Sequence, residues 1–526
     1  MKLPSLSGLA AFADRQGRAV TFVGLLAFAG SATVAGLTGI PEPRTHDEFS
    51  YLLAADTFAH GRLTNPTHPL WVHFESIHIL QQPTYASKFP PAQGLILALG
   101  QRLTGRPIVG VWLSVGLMCA AICWMLYAWV PPRWAFVGGL LAVAQLGIVD
   151  YWAQSYWGGA MAATGGALVF GALRRILSAP RASHAIVMGL GVAILANSRP
   201  YEGLIASLPA GITLLTWMLT RHGPLGSVSL KRIVLPLCAV LALAAAGMVW
   251  LNLRVTGNPL RLPYQVHEAT YRVEPVFLWK SPRPEPTYRH KELHDFYAGF
   301  EIAMYRNQHP IGRYGYRAIK TDQFYQLWRF FLGPWLTIPL VMLPWTWRDP
   351  WVRFALLTIG CLAVGLLGET WVLKHYAAPI TGLIFALAVQ GLQAWKARAG
   401  PAGRFVVWMV VLASVTRAIV LAGSDPAGGP RSGWHLQRAA IVRQLQADGG
   451  RHLVLVRYGS RHSVQQEWVY NDADIDTATV VWARSMDPES DRQCVEYFRD
   501  RTIWLLDVDS GESAPVVAPY AAARDR

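Results

Sequence analysis

Two adjacent carboxylates, Asp47 and Glu48, stand directly after the first long apolar run of the chain, where a membrane surface is expected. Acidic side chains beside an apolar slab are costly to place, and they usually bind a partner or take part in chemistry. Either of them can act as a general base that takes a proton from a hydroxyl or an amine. Alternatively, both only cap a helix that begins near Phe49, where acids accept from free backbone N–H groups.

A further acid, Asp150, ends a later apolar run and begins an aromatic stretch that extends to Trp157. Tyrosine and tryptophan are common at a membrane interface, so most of this stretch is typical of an aromatic belt. We expect Asp150 to lie on the same side of the membrane as Asp47 and to converge with it. Asp150 therefore joins Asp47 and Glu48 as a candidate catalytic residue.

Basic residues recur on the side of the membrane that carries these acids. Lys88 precedes two prolines, which fix the backbone just before the chain returns to apolar sequence, and a cation held there suits a phosphate group. The other predicted phosphate-binding residues occupy short turns between apolar runs: Arg199, Lys374 and His375. These cations can alternatively snorkel toward lipid headgroups, as we expect of Arg417 inside the last apolar run. The predicted substrate contacts beside them are Tyr51, Tyr156, Glu202 and Tyr376.

The elements that must hold these residues are membrane-spanning helices. The chain has 526 residues, of which 52% are hydrophobic and only 15% charged, whereas soluble domains carry roughly 25% charged residues. The net charge of +15 does not indicate nucleic acid, because the basic residues of the short loops follow the positive-inside rule. The five cysteines form neither a disulfide framework nor a zinc-binding spacing.

Hydropathy predicts about eleven spans, and therefore an all-α polytopic bundle. The predicted spans are 19–40, 107–129, 134–150, 158–176, 184–197, 201–219, 232–253, 326–345, 352–369, 374–394 and 404–422. The first run is too long for a signal peptide, so it is predicted to be a retained span with a cytoplasmic N-terminus. The span at 184–197 is short for the roughly 20 residues that a bilayer requires. Residues 92–104 fit an interfacial amphipathic helix.

The short loops on the two sides of the membrane differ in their number of basic residues. One side holds Arg133, Arg174, Arg175, Arg181, Arg221, Lys231, Arg232, Arg348, Arg353, Lys396, Arg398 and Arg404. The short loops on the other side hold only Arg199 and Lys374. This asymmetry predicts an inner-membrane protein whose loops 41–106 and 254–325 face the periplasm or the cell exterior.

The outer loop 254–325 is basic and aromatic, and its proline-rich middle argues against one continuous helix. Two interpretations stand. The loop is either a solvated segment whose cations bind lipid headgroups, or a lid over substrate, since long loops in compact proteins are commonly functional. Residues 1–422, with this loop and loop 41–106, are expected to form one transmembrane domain.

After the linker Gly423–Gly433 the composition becomes that of a soluble domain. Residues 434–526 are expected to form a small outer α/β domain, with helices near 434–448 and 487–499 and strands near 452–458, 479–483 and 502–506. Its acids Asp472, Asp474 and Asp476 lack the glycine and terminal glutamate of a calcium-binding loop. No metal site is therefore predicted there.

The pattern resembles the C-type integral-membrane glycosyltransferases, the superfamily of protein O-mannosyltransferases and lipid A aminoarabinose transferases. The resemblance rests on the acids after the first span, the acid before the second outer loop, one Lys-Phe-Pro-Pro motif and one basic turn: Asp47-Glu48, Asp150, Lys88-Phe89-Pro90-Pro91 and Lys374–Pro379. The many spans and the C-terminal outer domain also match. Two features depart from the aminoarabinose-transferase pattern: the large loop 254–325 and a longer first loop, which contains His60, His68, His73 and His78.

The resemblance implies an inverting enzyme that takes a sugar from a polyprenyl-phosphate-linked donor. By that analogy Asp47 or Glu48 activates an acceptor lipid, glycan or protein. The departing phosphate is then stabilised by Lys88, Arg199 and His375, because fixed cations in a water-poor cavity act most strongly on charge that develops in the transition state. Some members of the superfamily require a divalent metal. This chain offers two aspartates but no clear third ligand, so no cofactor is predicted.

Three alternatives stay open. A lipid or glycolipid transporter (a flippase, for example) explains the spans and the outer cations without chemistry, but it predicts charged or broken segments at mid-membrane depth. A sensor whose outer domain binds the ligand is the second alternative. The third is an oligosaccharide ligase of the same superfamily architecture.

Overall fold

A computed structural model describes residues 6–220, 226–422, 433–509 and 515–520 of the chain. The apolar runs form helices because a backbone inside a bilayer must satisfy its own hydrogen bonds. The predicted fold class is confirmed: the chain is a multi-pass membrane protein, a helical bundle with a small C-terminal sheet. The predicted linker Gly423–Gly433 lies outside the described residues except for Gly433.

Helices α1 to α20 make up the bundle and its loops within the described residues. They are α1 (Leu6–Ala13), α2 (Gln16–Thr38), α3 (His46–Ala59), α4 (Pro91–Thr104), α5 (Ile108–Trp129), α6 (Pro132–Leu146), α7 (Gly159–Ser178), α8 (Ala182–Ala196), α9 (Pro200–Leu219), α10 (Gly226–Ser229), α11 (Leu235–Thr256), α12 (Pro263–Tyr271), α13 (Lys291–His294), α14 (Ile302–Gln308), α15 (Tyr314–Phe331), α16 (Gly333–Thr337), α17 (Leu343–Thr346), α18 (Pro350–Leu367), α19 (Thr381–Arg398) and α20 (Gly400–Ala422). Short 3-10 turns lie at Trp71–Phe74, Ile338–Met342, Lys374–Tyr376 and Ala378–Ile380, and π-helical turns at Leu230–Val234 and Asp295–Glu301.

All eleven predicted spans are helical, but fewer are full spans. Within the described residues, eight helical stretches are long and apolar enough to cross a membrane, and the pair of α15 with α16–α17, bent by 88°, makes a ninth if it is one span. The remaining two predictions correspond to α6 and α8, which have 15 residues each. At 1.5 Å per residue such a helix is about 22 Å long, shorter than the roughly 30 Å of a bilayer core.

Successive passes through the bundle bring the candidate site residues to one end. Helices α2, α6, α8 and α18 end there, and α7, α9 and α19 begin there. The connections at this end carry Asp47, Asp150, Arg199 and Lys374. Gly166 of α7 permits a close approach by the turn that follows Lys374, since a Cβ at this glycine would clash with the carbonyl oxygen of Pro379.

The first outer loop is ordered by α3, α4 and a two-stranded ribbon. Strand β1 (Ile79–Leu80) pairs antiparallel with β2 (Ala86–Ser87), with Ile79 opposite Ser87. Because Lys88 follows β2 directly and His78 precedes β1, the ribbon brings these two residues side by side. The predicted interfacial helix at 92–104 is α4.

The C-terminal unit is a small α/β layer, as predicted. It contains α21 (Trp434–Asp448), β3 (His452–Tyr458), β4 (Val480–Arg484), α22 (Pro488–Tyr497), β5 (Thr502–Val508) and β6 (Val517–Pro519). The strand order is β4-β3-β5-β6, with β3 parallel to β4 and β5, and with β6 antiparallel to β5. Three predicted strands are found within a few residues, and β6 is an addition.

This C-terminal unit shares a hydrophobic core with the first outer loop. Phe49 and Leu53 of α3 pack in one buried cluster with Leu453 and Tyr470. The rings of Phe49 and Tyr470 are stacked, with centroids 4.2 Å apart. The C-terminal unit therefore fixes the helix whose first turn carries Asp47.

A buried arginine of the C-terminal unit contacts both outer loops. The guanidinium of Arg484, whose side chain is 2% exposed, donates to Glu467 Oε2 at 2.7 Å and to Glu292 Oε2 at 2.8 Å. It also donates to the carbonyl oxygen of Glu75 in the first loop at 3.0 Å. Since a buried charge is stable only when it is paired, the docking of the C-terminal unit depends on Arg484.

Replacement of Arg484 by methionine is expected to destabilise the folded chain by about 3–5 kcal/mol, because Glu467 is left buried without its partner. Thermal or denaturant unfolding of the purified protein measures this. The matched control is Arg457→Met, whose exposed pair with Asp507 at 2.7 Å contributes only about 0–1 kcal/mol. Equal losses in the two variants would contradict the assigned role.

Candidate active site

Asp47 and Glu48, equivalent in the sequence, have different surroundings in the fold. Glu48 is 2% exposed and forms a capping box with Thr45. Its carboxylate accepts from the backbone N–H groups of Arg44 at 2.8 Å, Thr45 at 3.2 Å and Tyr156 at 2.9 Å. Glu48 thus caps α3 and ties it to the stretch that follows Asp150.

Asp47 faces side chains rather than the backbone. Its carboxylate is 25% exposed, and Oδ2 lies 3.9 Å from Nε2 of His78. Burial raises the pKa of Asp47, and the positive charges of Lys88 and Arg199 oppose that rise. A carboxylate with a raised pKa that still reaches solvent has the properties of a general base.

The cation Lys88 is connected to Asp47 through the imidazole ring of His78. Its ammonium Nζ lies 2.8 Å from Nδ1 of His78, and it stands over the rings of Phe89 at 5.2 Å and Tyr264 at 5.5 Å. Burial lowers the pKa of Lys88 to about 8, with Glu301 opposing the shift and Arg272 adding to it. Lys88 is buried, with 6% of its surface exposed, and its role toward a phosphate stays a prediction.

Arg199 is the second cation of the site and connects several predicted residues. Its guanidinium lies 4.4 Å from the ring centroid of Tyr376, and Nη1 is 3.7 Å from Oε1 of Glu202. Burial raises the pKa of Tyr51 to about 12, with Arg199 lowering it and Asp47 and Glu202 adding to the rise. Tyr51 therefore lies within electrostatic reach of both Asp47 and Arg199.

Asp150 lies in a neighbouring group rather than against Asp47. Helix α6 ends at Leu146, so Asp150 is in an irregular stretch, where its Oδ2 is 3.3 Å from Nη2 of Arg417. Arg417, expected from the sequence to snorkel outward, is held by Asp150, and its guanidinium also donates to the carbonyl oxygen of Gln145 at 3.0 Å. Burial raises the pKa of Asp150, and Arg417 opposes the rise.

The basic turn 374–376 packs against the residue that follows Asp150. The hydroxyl of Tyr151 lies 2.9 Å from Nδ1 of His375, and Nζ of Lys374 lies 4.8 Å from the Tyr151 ring. Burial lowers the pKa of His375 well below its usual value, and Arg199 adds to this shift. His375 is thus a neutral ring beside Arg199.

The predicted substrate contacts divide between these groups. Tyr51 stacks on Phe89 at 4.6 Å, beside Lys88, and Tyr376 lies against Arg199. The hydroxyl of Tyr156 donates to the carbonyl oxygen of Pro41 at 3.2 Å, so this residue contacts the protein itself. Their roles toward a substrate stay predictions.

Sequence reasoning missed a group of buried charges in loop 254–325. Arg272 pairs with Glu268, with Glu274 at 2.7 Å and with Glu301 at 3.6 Å. Burial raises the pKa of Glu301 to about 7, opposed by Arg272 and increased by Glu274. The available signal was the four-residue spacing of Glu268 on α12 and Arg272 directly after that helix. These charged residues lie near Lys88 and shift its pKa, so loop 254–325 contributes to the electrostatic potential at the site.

Two cavities are resolved elsewhere in the described part of the chain. One, of about 490 Å³, is apolar and is lined by Trp335, Met409, Leu412, Ala413, Thr416, Arg417 and Val420. The other, of about 630 Å³, is polar and lies between the first loop and the C-terminal unit, with Asp56, His60 and Asp472 in its wall. Neither is lined by Asp47 or Lys88.

No family model matches this chain, and no curated protein matches it. Among solved structures, the oligosaccharyltransferase of Archaeoglobus fulgidus, in complex with Zn and sulfate, is 12% identical over 92% of this chain and 67% of its own, with a TM-score of 0.49. ArnT from Cupriavidus metallidurans, bound to undecaprenyl phosphate, is 14% identical over 92% of each chain, with a TM-score of 0.48. Arabinofuranosyltransferase AftD from Mycobacteria is 16% identical over 94% of this chain and 35% of its own, with a TM-score of 0.42.

This chain is similar to solved C-type membrane glycosyltransferases. Since each TM-score lies below 0.5 and each identity below 25%, the activity of this chain does not follow from these likenesses.

The chemistry available to the site follows from its own charges. Asp47 provides a proton acceptor, and Lys88 and Arg199 provide positive charge in a largely dehydrated region. In such a region, electrostatic interactions are stronger than in water. The arrangement suits a reaction in which one group loses a proton while negative charge develops close by.

Proposed function

We propose that this protein is an inverting membrane glycosyltransferase that moves a sugar from a polyprenyl-phosphate-linked donor to an acceptor. The acceptor is a lipid, a glycan or a protein. The observation that carries the proposal is the line Asp47–His78–Lys88, in which a proton acceptor and a buried cation are joined through one imidazole ring. The resemblance of the sequence motifs to the superfamily supports it.

In this proposal Asp47 is the general base and Glu48 is not. All the partners found for Glu48 near the helix start are N–H or O–H donors that hold the cap of α3. A carboxylate engaged in this way loses its backbone partners when it takes a proton. Asp47 keeps its exposed edge free for an acceptor hydroxyl or amine.

The proposed reaction is a displacement at the anomeric carbon of the donor sugar. Asp47 takes the proton of the acceptor hydroxyl or amine, and the acceptor atom forms a bond to the anomeric carbon with inversion. The bond from that carbon to the phosphate oxygen breaks, and polyprenyl phosphate leaves with the electron pair. Lys88 and Arg199 stabilise the charge that builds on the phosphate, where fixed cations act most strongly.

The neighbouring group supports the phosphate side of the site in this proposal. Asp150 holds Arg417 and the start of the aromatic stretch, and Tyr151 positions His375 beside Arg199. Lys374, over the Tyr151 ring, adds positive charge to the same side. Asp150 is thus assigned a supporting role, and proton transfer is assigned to Asp47.

A divalent cation stays open, because one structural neighbour was solved with Zn. Within the described residues no group of three or more His, Cys, Asp or Glu is placed to hold a metal ion. Asp150, which would be the second ligand with Asp47, faces Arg417 instead.

We further propose that the protein lies in the inner membrane with this site on the outer face. The C-terminal unit and the first loop pack against each other, so both belong to one side of the membrane. The surplus of basic residues in the opposite short loops assigns that opposite side to the cytoplasm. Membrane lipids and the polyprenyl donor would then reach the site from the outer leaflet.

One feature favours the transporter alternative. The chain breaks at Gly333 between α15 and α16, where the two helices meet at 88°, and transporters commonly contain broken helices. A transporter would move a lipid-linked sugar without releasing polyprenyl phosphate. Release of polyprenyl phosphate therefore distinguishes a glycosyltransferase from a transporter.

The deciding experiment is a turnover assay in nanodiscs with polyprenyl-phosphate sugars and a panel of acceptors. Wild-type protein is expected to release polyprenyl phosphate and to transfer the sugar, while Asp47→Asn protein that inserts and folds normally is expected to release it about 10²–10⁴-fold more slowly. Absence of release from the wild type with every donor, together with movement of the lipid across proteoliposome membranes, would establish the transporter instead.

A further inference from the structure

His78 has an unusual backbone conformation directly beside the proposed base. Its φ is +66°, and within the described residues it is the one non-glycine residue in the left-handed region. That conformation is unfavourable for a residue with a Cβ, because the Cβ lies too close to the backbone carbonyl oxygen. Such strain persists where the surroundings fix the residue, and it concentrates at functional sites.

The surroundings of His78 do fix it. Its backbone N–H donates to the hydroxyl of Tyr297 at 3.2 Å. Its carbonyl oxygen accepts from the hydroxyl of Ser50 at 2.8 Å and from the N–H of Lys88 at 3.4 Å. The side chain is 6% exposed and packs against the rings of His46, His267, Phe89, Phe296 and Tyr297.

The two ring nitrogens of His78 face groups of opposite charge. Nδ1 lies 2.8 Å from Lys88 Nζ, and an ammonium group can only donate, so Nδ1 accepts. A neutral imidazole then carries its proton on Nε2, which is 3.9 Å from Asp47 Oδ2. Contacts of catalytic groups are commonly this long before substrate binds.

We propose that His78 is a positioning residue: as the Nε2–H tautomer it accepts from Lys88 and donates toward Asp47, so that base and phosphate-binding cation keep one geometry. This inference rests on the proposed function. It explains why the chain retains a strained histidine at a position where glycine would remove the strain.

The charges around the three groups agree with a neutral ring between two ions. Burial lowers the pKa of His78 well below its usual value, and nearby Lys88, His267, His46 and Arg272 add to the shift. The groups that face Lys88 are the acids Glu301, Asp47 and Glu268 and the cation Arg272, and those that face Asp47 are Lys88 and Arg199. At neutral pH we therefore expect His78 neutral, Lys88 mostly charged and Asp47 ionised during turnover.

Two substitutions separate the two contacts of the ring. His78→Asn places an oxygen near the position of Nδ1 and tolerates the left-handed backbone, so it keeps the acceptor for Lys88 but loses the donor to Asp47. His78→Phe keeps the ring packing and loses both contacts. Size-exclusion chromatography and thermal unfolding in detergent show which variants fold.

The first readout is the titration of Lys88 by NMR of ¹³C-lysine protein, with its signal assigned by its loss in Lys88→Met. In His78→Phe the ammonium loses its acceptor, so the pKa of Lys88 is expected to fall by about one unit. In His78→Asn it is expected to stay near the wild-type value of about 8. This readout needs neither donor nor turnover.

The second readout is the pH dependence of kcat/KM. Turnover requires Asp47 ionised and Lys88 charged. Both variants lose the donor to Asp47, which raises the pKa of this acid and moves the acid limb to higher pH. Only His78→Phe also moves the alkaline limb to lower pH, and we expect about a tenfold loss at pH 7 in both variants.

A purely structural role for His78 predicts different results. If His78 only fills space, the phenylalanine variant keeps the wild-type Lys88 titration and pH profile, and that result overturns the proposal. Should His78→Asn lower the Lys88 pKa as much as His78→Phe, the assigned acceptor is wrong. A wild-type protein that transfers no sugar overturns the proposed function alone, because the Lys88 titration still decides the contact with His78.

Discussion

Replacement of Asp47 by asparagine is expected to lower sugar transfer by about 10²–10⁴-fold, the usual contribution of a general base. The amide keeps the size and most of the polarity of the carboxylate but cannot take a proton. The loss is expected in kcat, because donor and acceptor binding depend on other residues. Single-turnover release of polyprenyl phosphate in nanodiscs measures it.

The same substitution is expected to leave stability unchanged or slightly raised. Burial raises the pKa of Asp47 in the folded chain, so at neutral pH the ionised form is less favourable in the folded state than in the unfolded state. The charge of Asp47 therefore weakens the fold above its unfolded pKa, and this loss disappears as the pH falls. Removal of a charge that costs stability but supports activity is typical of a functional site.

Glu48→Gln is the matched control for this prediction. The glutamine cannot accept from all the backbone N–H groups that Glu48 binds, so we expect a loss of about 1–2 kcal/mol from the cap of α3. The folded fraction is expected to keep its transfer activity. The reverse outcome, an inactive Glu48→Gln with an active Asp47→Asn, would assign the base to Glu48.

The sequence predicts the helices because their apolar composition is local information. All eleven apolar runs are helical, and the strands of the C-terminal unit follow from short apolar runs such as that of β3, whose residues 452–456 are all buried. Full spans were overcounted because hydropathy does not show where a helix ends: α6 stops at Leu146, and Asp150 lies in an irregular stretch beyond it.

The arrangement of the site required information from distant parts of the chain. Adjacent residues on a helix point about 100° apart. Glu48 accordingly caps α3 and accepts from the distant N–H of Tyr156, whereas Asp47 faces His78. The pairing of Asp150 with Arg417 joins residues far apart in sequence. The buried charges around Arg272 and the position of His78 depend in the same way on tertiary contacts.

Replacement of Lys88 by methionine is the second large effect that we expect, a fall of about 10²–10³-fold in kcat. Methionine retains much of the volume of the lysine stem but removes the charge that stabilises the departing phosphate. Because negative charge on the phosphate increases as its bond to the sugar breaks, kcat is expected to fall more than donor affinity. Donor binding and steady-state release of polyprenyl phosphate separate the two quantities.

Two controls accompany Lys88→Met: the stability of the variant and the substitution of a second cation, Lys374. Burial lowers the pKa of Lys88 to about 8, so the charge is less favourable in the folded chain than in the unfolded chain, and methionine is not expected to weaken the fold at pH 7. Lys374→Met removes a cation from the Asp150 side, over Tyr151, and a smaller loss is expected. A folded Lys88→Met protein with wild-type kcat would show that Lys88 does not stabilise the departing phosphate. A larger loss in Lys374→Met than in Lys88→Met would show that the phosphate binds beside Asp150 instead.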